Sequence, residues 1–483
     1  MNISSIFRLM GGDGDDLYKS LRKSYQSRDE IVRTAIRQYI PDLHSIMDES
    51  LYPDEILYVE SGENDEYGQP IMTTDIVPVT RIPLAIEKQI IEKKAIFAYG
   101  GGIILEPTNP DSKLFKRVES NFYDSKLDLI SKEILTHCMA STQAAVIFYS
   151  PTPDSVDKFR FRHKIVSPLA GDRLEPFFDE DTDDLIAFGR EYKRGDKLRY
   201  DLYVKNESGY VEIRRYENGS PMLKPGIVEV PDLKGNLVQV EGDVVDITVT
   251  PYTKLPVIYM ELPQGECHDI AELRKNYEIA YSGFWDQNDR TGDPILFGKG
   301  DTLSLPAKNK RGKYIEGSAD SDLKFLSPEN ATESRALQFK MAENYMYSLC
   351  NSVKFDLDTF KGPGVTSGEA IDKLLTPMFL DAKEKQDGIL GMFYQRLINW
   401  LLHETRELFG GESDLRVYVK FKPMSFKSDA DHVSLAMQAN GGLPVVSHLE
   451  SIVMAGLSTD AQKTLDEINK TTDTVYERGA STV

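Results

Sequence analysis

The second half of this 483-residue chain has an order of elements that few folds can use. Asp269–Asn288 reads as a helix. Asp269 and Glu272 open it in a capping-box pattern, and Ile270, Leu273, Tyr277, Ala280, Tyr281 and Phe284 give it one apolar side. Gly292-Asp293-Pro294 ends it. A β-and-loop excursion follows over Ile295–Phe325, with Gly298, Gly300, Gly312 and Gly317. Ser327-Pro328-Glu329 then starts a second helix: an N-cap serine, a proline in the first turn and an acid at the positive end. That helix runs to about Ser352, with Leu337, Met341, Tyr345, Met346 and Leu349 on one face. Phe355–Thr366 is a loop containing Gly362-Pro363-Gly364. Ser367 caps a long helical stretch from Gly368 to about Leu408, which Pro377 is expected to kink by removing a backbone donor. A strand over Leu415–Lys422 and helical pieces over Asp429–Asn469 finish the chain.

The first half is mixed. Arg28–Ile40 has helical periodicity. From Gln38 to Thr80 there is no Lys or Arg but there are ten acidic residues. This stretch is either a solvated loop or a negative surface. Arg81–Ala98 reads as a helix stopping at Gly100-Gly101-Gly102, Ile103–Leu105 as a strand, Ser120–Ala140 as a helix and Ala144–Tyr149 as a strand. Between Arg173 and Thr250, the runs Leu185–Tyr192, Leu198–Val204, Tyr210–Tyr216 and Val244–Val249 read as an antiparallel meander.

Charge and motifs remove several function classes. The chain holds 57 basic and 77 acidic residues, a net charge of −20. That argues against a protein that grips nucleic acid by neutralising phosphates, and leaves room for one that passes it without gripping. Cys138, Cys267 and Cys350 are too few for a disulfide framework and fit a reducing compartment. The longest apolar run, Ala144–Tyr149, is far below the roughly 20 residues of a membrane span, and Met1–Gly12 lacks an apolar signal region; the reading is of a soluble, non-secreted protein. Gly292–Gly300 has five residues where a nucleotide-binding loop needs four, and glycine in place of its hydroxyl. Asp179–Asp184 lacks the glycine and glutamate of a calcium loop. His137-Cys138 and Cys267-His268 lack zinc spacing. No catalytic residue, metal or cofactor is expected. The densest basic cluster, Lys308, Lys310, Arg311 and Lys313, is a solvated tip or a contact patch for DNA or an acidic partner.

The chain resembles the portal proteins of tailed bacteriophages, siphophage type, over about residues 75–475. The likeness rests on the order and spacing of several stretches. Thr80-Arg81-Ile82-Pro83-Leu84 leads through Ile90-Ile91-Glu92-Lys93-Lys94 to Tyr99-Gly100. Pro176-Phe177-Phe178 through Asp184–Arg190 is similar to that family's wing hairpin. Pro251-Tyr252 with Leu255-Pro256-Val257 resembles the strand ahead of its stem. Asp293–Gly300 is similar to the start of its clip, and Ser367-Gly368-Glu369-Ala370-Ile371 to the start of its long wing helix. Gly441-Gly442-Leu443 through Ser447, then Asp460 and Leu465-Asp466-Glu467-Ile468, resembles its crown.

The resemblance implies an α+β portal-type subunit with an α/β wing, a two-helix stem, a small α/β clip, a long kinked wing helix and a helical crown. Residues 1–268 and 367–425 would form the wing, residues 1–70 matching poorly. Residues 269–292 and 327–354 would form the stem, 293–326 the clip, 355–366 a loop facing the channel, 426–475 the crown and 476–483 a tail. The family forms a ring, commonly of twelve subunits, around a channel for double-stranded DNA at one capsid vertex. The implied partners are the packaging ATPase (large terminase), head-tail adaptors, and major capsid and scaffolding proteins. The implied location is the virion, and the host cytoplasm during assembly. In the channel loop, Lys354, Asp356, Asp358, Lys361, Gly362, Pro363 and Gly364 are the candidate DNA-facing residues, the lysines alternatively pairing with Asp356 and Asp358. The alternative is another virion structural protein, such as a head-tail adaptor that never touches DNA.

Overall fold

The computed structural model describes residues 22, 27–64, 67–68, 70–153, 159–179, 181–231, 237–291, 295–299, 322–326, 332–355, 371, 373–422, 429–440, 446–455 and 461–480. The architecture is α+β. Helix α1 (Asp29–Tyr39) has two acids in its first turn and Arg37 in its last, as its dipole favours. The acidic segment after it is a two-stranded antiparallel hairpin, β1 (Glu55–Asn64) and β2 (Pro70–Val77), in place of the solvated loop. Directly opposed residues share a face. Ile56, Ile76, Tyr58 and Met72 therefore line one side of the hairpin, and all are largely exposed.

Helix α2 spans Ile86–Tyr99 and buries Ile86, Ile90, Ile91, Ala95, Phe97 and Ala98. It begins five residues later than its periodicity predicts, because Pro83 holds Ile82 extended and other groups take the preceding N–H donors (below). Strand β3 (Ile103–Pro107) follows. The single helix expected over Ser120–Ala140 is two, α3 (Lys113–Asp124) and α4 (Ile130–Ser141). Lys126 adopts φ 55°. Its N–H donates to the Tyr123 carbonyl and that of Leu127 to the Phe122 carbonyl, the paired bonds of a Schellman stop. Leu127 is fully buried at this corner.

Strand β4 (Gln143–Pro153) is the centre of the body. It lies between β5 (Phe159–Val166) and β14 (Val257–Glu261) in a three-stranded antiparallel sheet. Between them in sequence come β6 (Arg173–Phe178), β7 (Leu185–Arg194), β8 (Lys197–Lys205), β9 (Val211–Glu217), β10 (Ser220–Pro221), β11 (Leu223–Pro231), β12 (Leu237–Val245) and β13 (Ile247–Val249). Strands β6 to β10 form the meander in sequence order, with β13 also on β9, and β11–β12 is a separate hairpin. The apolar run Ala144–Tyr149 is continuous because β4 is buried on both faces. Val146 and Phe148 point into the helical core, while Ala145 and Ile147 meet Leu174, Phe188 and Tyr203 of the meander.

Helix α5 (Ala271–Thr291), β15 (Ile295–Lys299), β16 (Asp322–Leu326) and α6 (Thr332–Leu349) come next. The long stretch expected to be kinked at Pro377 is two helices, α7 (Thr376–Asp387) and α8 (Ile389–Phe409). Pro377 stands in the first turn of α7, where a missing N–H costs nothing. Ile371, Lys373 and Leu374 are helical too, and the helix is interrupted at Leu375, two residues before Pro377. A second break falls at Gly388 (φ −98°, ψ −113°). A Cβ at Gly391 would lie 2.2 Å from the Gln386 carbonyl oxygen, so the bend requires glycine there. Trp400 of α8 stacks on Phe148 at 4.5 Å and meets the edges of Phe161 and Tyr252. Strand β17 (Val417–Phe421) pairs with β3, joining the two ends of the body. Helices α9 (Asp429–Asn440), α10 (His448–Ala455) and α11 (Ala461–Ala480) pack in succession.

Candidate functional site: the helix pair and its anchorage

Helices α5 and α6 lie side by side. Phe339 of α6 sits among Tyr277, Tyr281 and Phe284 of α5, with ring centroids 5.4, 5.6 and 5.9 Å away. One turn earlier in α6, Arg335 donates to Gln287 and lies over the Phe284 ring. Position 335 thus meets 284–287 and 339 meets 277–284, which makes the pair antiparallel. Beyond the ends of the two helices, β15 and β16 pair in antiparallel register from Ile295–Leu326 to Lys299–Asp322. Lys308, Lys310, Arg311 and Lys313 lie between those strands, outside the described residues.

Helix α5 is fastened to the body by a ladder. The N–H groups of Thr80, Ile82 and Leu84 donate to Asp286 Oδ1 (3.0 Å), Ser282 Oγ (3.1 Å) and Glu278 Oε1 (2.7 Å). Two residues of extended chain rise about 6.6 Å and four residues of helix about 6 Å. The two periods match, so alternate backbone donors meet every fourth side chain. At its foot is a buried charge network. Arg274 donates to Glu87 Oε1 of α2 at 2.7 Å and to Glu278 Oε2 at 2.6 Å, and Glu278 Oε1 lies 2.6 Å from His44 Nδ1. Burial pushes Glu87 above the ordinary carboxylate value, since one guanidinium does not offset it. Burial acts on Glu278 too, but His44, the Leu84 N–H and Arg274 outweigh it and hold Glu278 low. A second network ties α2 to α7. Lys94 reaches Glu266 (2.6 Å) and Asp381 (2.8 Å), and Lys385 reaches both as well. Burial would lower Lys94, but the two carboxylates raise it.

The root of the loop after α6 is anchored on α2. Tyr347 donates to Gln89 Oε1 at 3.0 Å, and Lys93 lies over the rings of Tyr347 and Phe355. Burial, with the charge of Lys354 beside it, lowers Lys93. Lys354 donates to Glu343 of α6 at 2.8 Å. Asp356, Asp358, Lys361, Gly362, Pro363 and Gly364 lie outside the described residues. At the tip of β6–β7, Asp179 Oδ1 accepts from the N–H groups of Asp181 and Thr182, so that carboxylate is engaged in its own turn. Among the described residues no group of three or more metal-ligating side chains comes together, and no helix is long and apolar enough to cross a membrane.

Sequence reading missed Arg274, Glu278, Ser282 and Asp286. Their signal was a polar line with a period of four on an otherwise amphipathic helix. What it lacked was the partner segment 80–84, nearly two hundred residues away.

An α+β body holding a braced antiparallel helix pair, with a small strand pair at its far end, defines the architectural class. The family of phage portal proteins, SPP1 Gp6-like, matches residues 37–475, and the chain belongs to it. That family is structural rather than enzymatic. Curated proteins provide no match. Among solved structures, the chain is similar to one from the virion of a native gene transfer agent particle. The TM-score is 0.40 at 11% identity, covering 77% of this chain and 89% of that one. It is also similar to chains from the neck of the empty particle (TM-score 0.40, 10% identity) and of the native particle computed with C12 symmetry (TM-score 0.38, 11% identity), with the same coverage of 77% and 89%.

Proposed function

We propose that this portal protein forms a closed ring of about twelve copies at one vertex of a phage capsid, through which double-stranded DNA is packaged and ejected. The family match over residues 37–475 carries the reading. In it, α5 and α6 are the stem (269–292 and 327–354), and residues 293–326 are a clip that meets the packaging ATPase and later the head-tail adaptors. Residues 1–268 and 367–425 are the wing and 426–475 the crown, facing capsid and scaffolding proteins. The virion is the final location, after assembly in the host cytoplasm. Lys308, Lys310, Arg311 and Lys313 are the clip's contact patch.

Charge supports passage without gripping. Each phosphate contact adds affinity through counterion release and would oppose motion. At −20 per chain, a ring carries a strong excess of negative charge that keeps a duplex near the axis, within a Debye length of about 8 Å. Local contacts then fall to the loop over 355–366. There Gly362 and Gly364 allow bending, Pro363 limits it, and Lys354 and Lys361 flank it. Deleting Lys361–Val365 is expected to leave rings intact and to impair DNA packaging or retention. Normal packaging and retention in that variant would defeat the loop's assigned role.

A further inference from the structure

The helix pair is complete where α5 and α6 meet, and incomplete on both outer flanks. On α6, Leu337, Met341, Tyr345 and Leu349 recur every four residues and are 59%, 62%, 59% and 43% exposed. Phe339, the residue held by α5, stands two positions from Leu337 and Met341 and hence on the opposite side of the helix. The four side chains form an apolar ridge pointing away from α5. On α5, Ile279, Ala280 and Gly283 are exposed. Ile279 lies two positions from both Tyr277 and Tyr281, so this flank turns away from α6. Gly283 is a costly residue in a helix interior. Among the described residues, nothing outside its own helix turn lies within 4 Å of where its Cβ would stand, so packing among them does not require a glycine there.

The ridge and the flat flank match in level and in charge. With Phe339 beside Tyr281 in an antiparallel pair, Leu337 stands level with Gly283 and Met341 with Ile279. A chain of net charge −20 repels its own copies unless they meet where acids are absent. On α6 from Ser334 to Leu349 the one acid, Glu343, is 23% exposed and paired with Lys354, and the exposed residues of α5 from Asn276 to Gly283 are uncharged. A ridge on one flank and a shallow gap on the other make a head-to-tail contact, the kind that closes into a ring by rotation.

We propose that the Leu337–Met341–Tyr345–Leu349 ridge of one copy packs on the Ile279–Ala280–Gly283 flank of the next, with Leu337 filling the space above Gly283. This rests on the ring reading above and names the contact between its subunits.

The test is a Leu337→Cys, Gly283→Cys double variant of the full chain under mild oxidation. The native cysteines among the described residues are buried, and the two new ones lie on opposite flanks of one chain. A ladder of disulfide-linked multimers is expected from the double variant and not from either single variant. Rings visible by microscopy without that ladder overturn the inference and leave the ring reading standing. A wild-type chain that never assembles overturns both. Gly283→Leu supplies the second arm. It improves helix propensity, so a merely structural role predicts unchanged or stronger assembly. The contact predicts an assembly concentration at least about tenfold higher, about 1.4 kcal/mol, with the monomer's circular dichroism unchanged. Assembly at the wild-type concentration overturns the inference.

Discussion

Arg274→Ala is expected to remove about 3–5 kcal/mol of stability, the usual cost of taking one member from a buried ion network. Its side chain is 6% exposed, and those of Glu87, Glu278 and His44 are fully buried. Removing the guanidinium leaves the Glu87 and Glu278 carboxylates buried without their shared cation, Glu278 keeping only His44 and the Leu84 N–H. It also loosens the acceptor for the Leu84 N–H, and so the ladder that fixes α5 to the body. The measurement is urea unfolding of the unassembled chain, where the midpoint should fall at unchanged slope. A loss below about 1 kcal/mol would mean that the pair behaves as a solvated one. The network also sets an acid limit. Glu278 is held below the ordinary carboxylate value, so its contribution is full above that value and is lost as pH falls through the lowered one. Glu87 is shifted the other way and adds nothing to that limit.

Trp400→Ala should cost about as much, roughly 3–5 kcal/mol, for a different reason. Its ring stacks on Phe148 and fills the space between Phe161 and Tyr252, where the helical core meets β4. Alanine leaves a void that the strands on both sides of β4 cannot collapse into. Trp400→Phe should cost much less, under about 2 kcal/mol, because it keeps the stack and discards an indole N–H that finds no acceptor among the described residues. Fluorescence reads the result directly. The second tryptophan, Trp285, is 48% exposed, so the blue-shifted emission belongs to Trp400 and should vanish in both variants. Equal losses in the alanine and phenylalanine variants would contradict the stacking account.

The sequence was most legible where one local signal decides the outcome. The helix pair showed in its 3.6 period, the meander in its alternation and turn residues, and β4 in an apolar run too short for a span. Sequence reading failed where distant groups decide. Ile82 and Leu84 look helical, but Pro83 and three side chains of α5 hold them extended. The Schellman stop at Lys126 uses a residue with no sequence preference for φ 55°, and the helix breaks at Gly388 in addition to the interruption beside Pro377. The acidic stretch concealed a hairpin because its charges masked the alternation of Ile56, Tyr58 and Ile76. Lys354 pairs with Glu343, eleven residues back in α6, a partner the sequence reading did not name; Asp356 and Asp358 lie outside the described residues. Buried charges such as Lys94, Glu266 and Asp381 look like surface residues until their partners are known.

Native mass spectrometry of the purified chain, with negative-stain images of the same sample, tests the central claim most directly. A single closed species of about twelve protomers with an open centre is the predicted result. A stable monomer at micromolar concentration across a range of salt would contradict it.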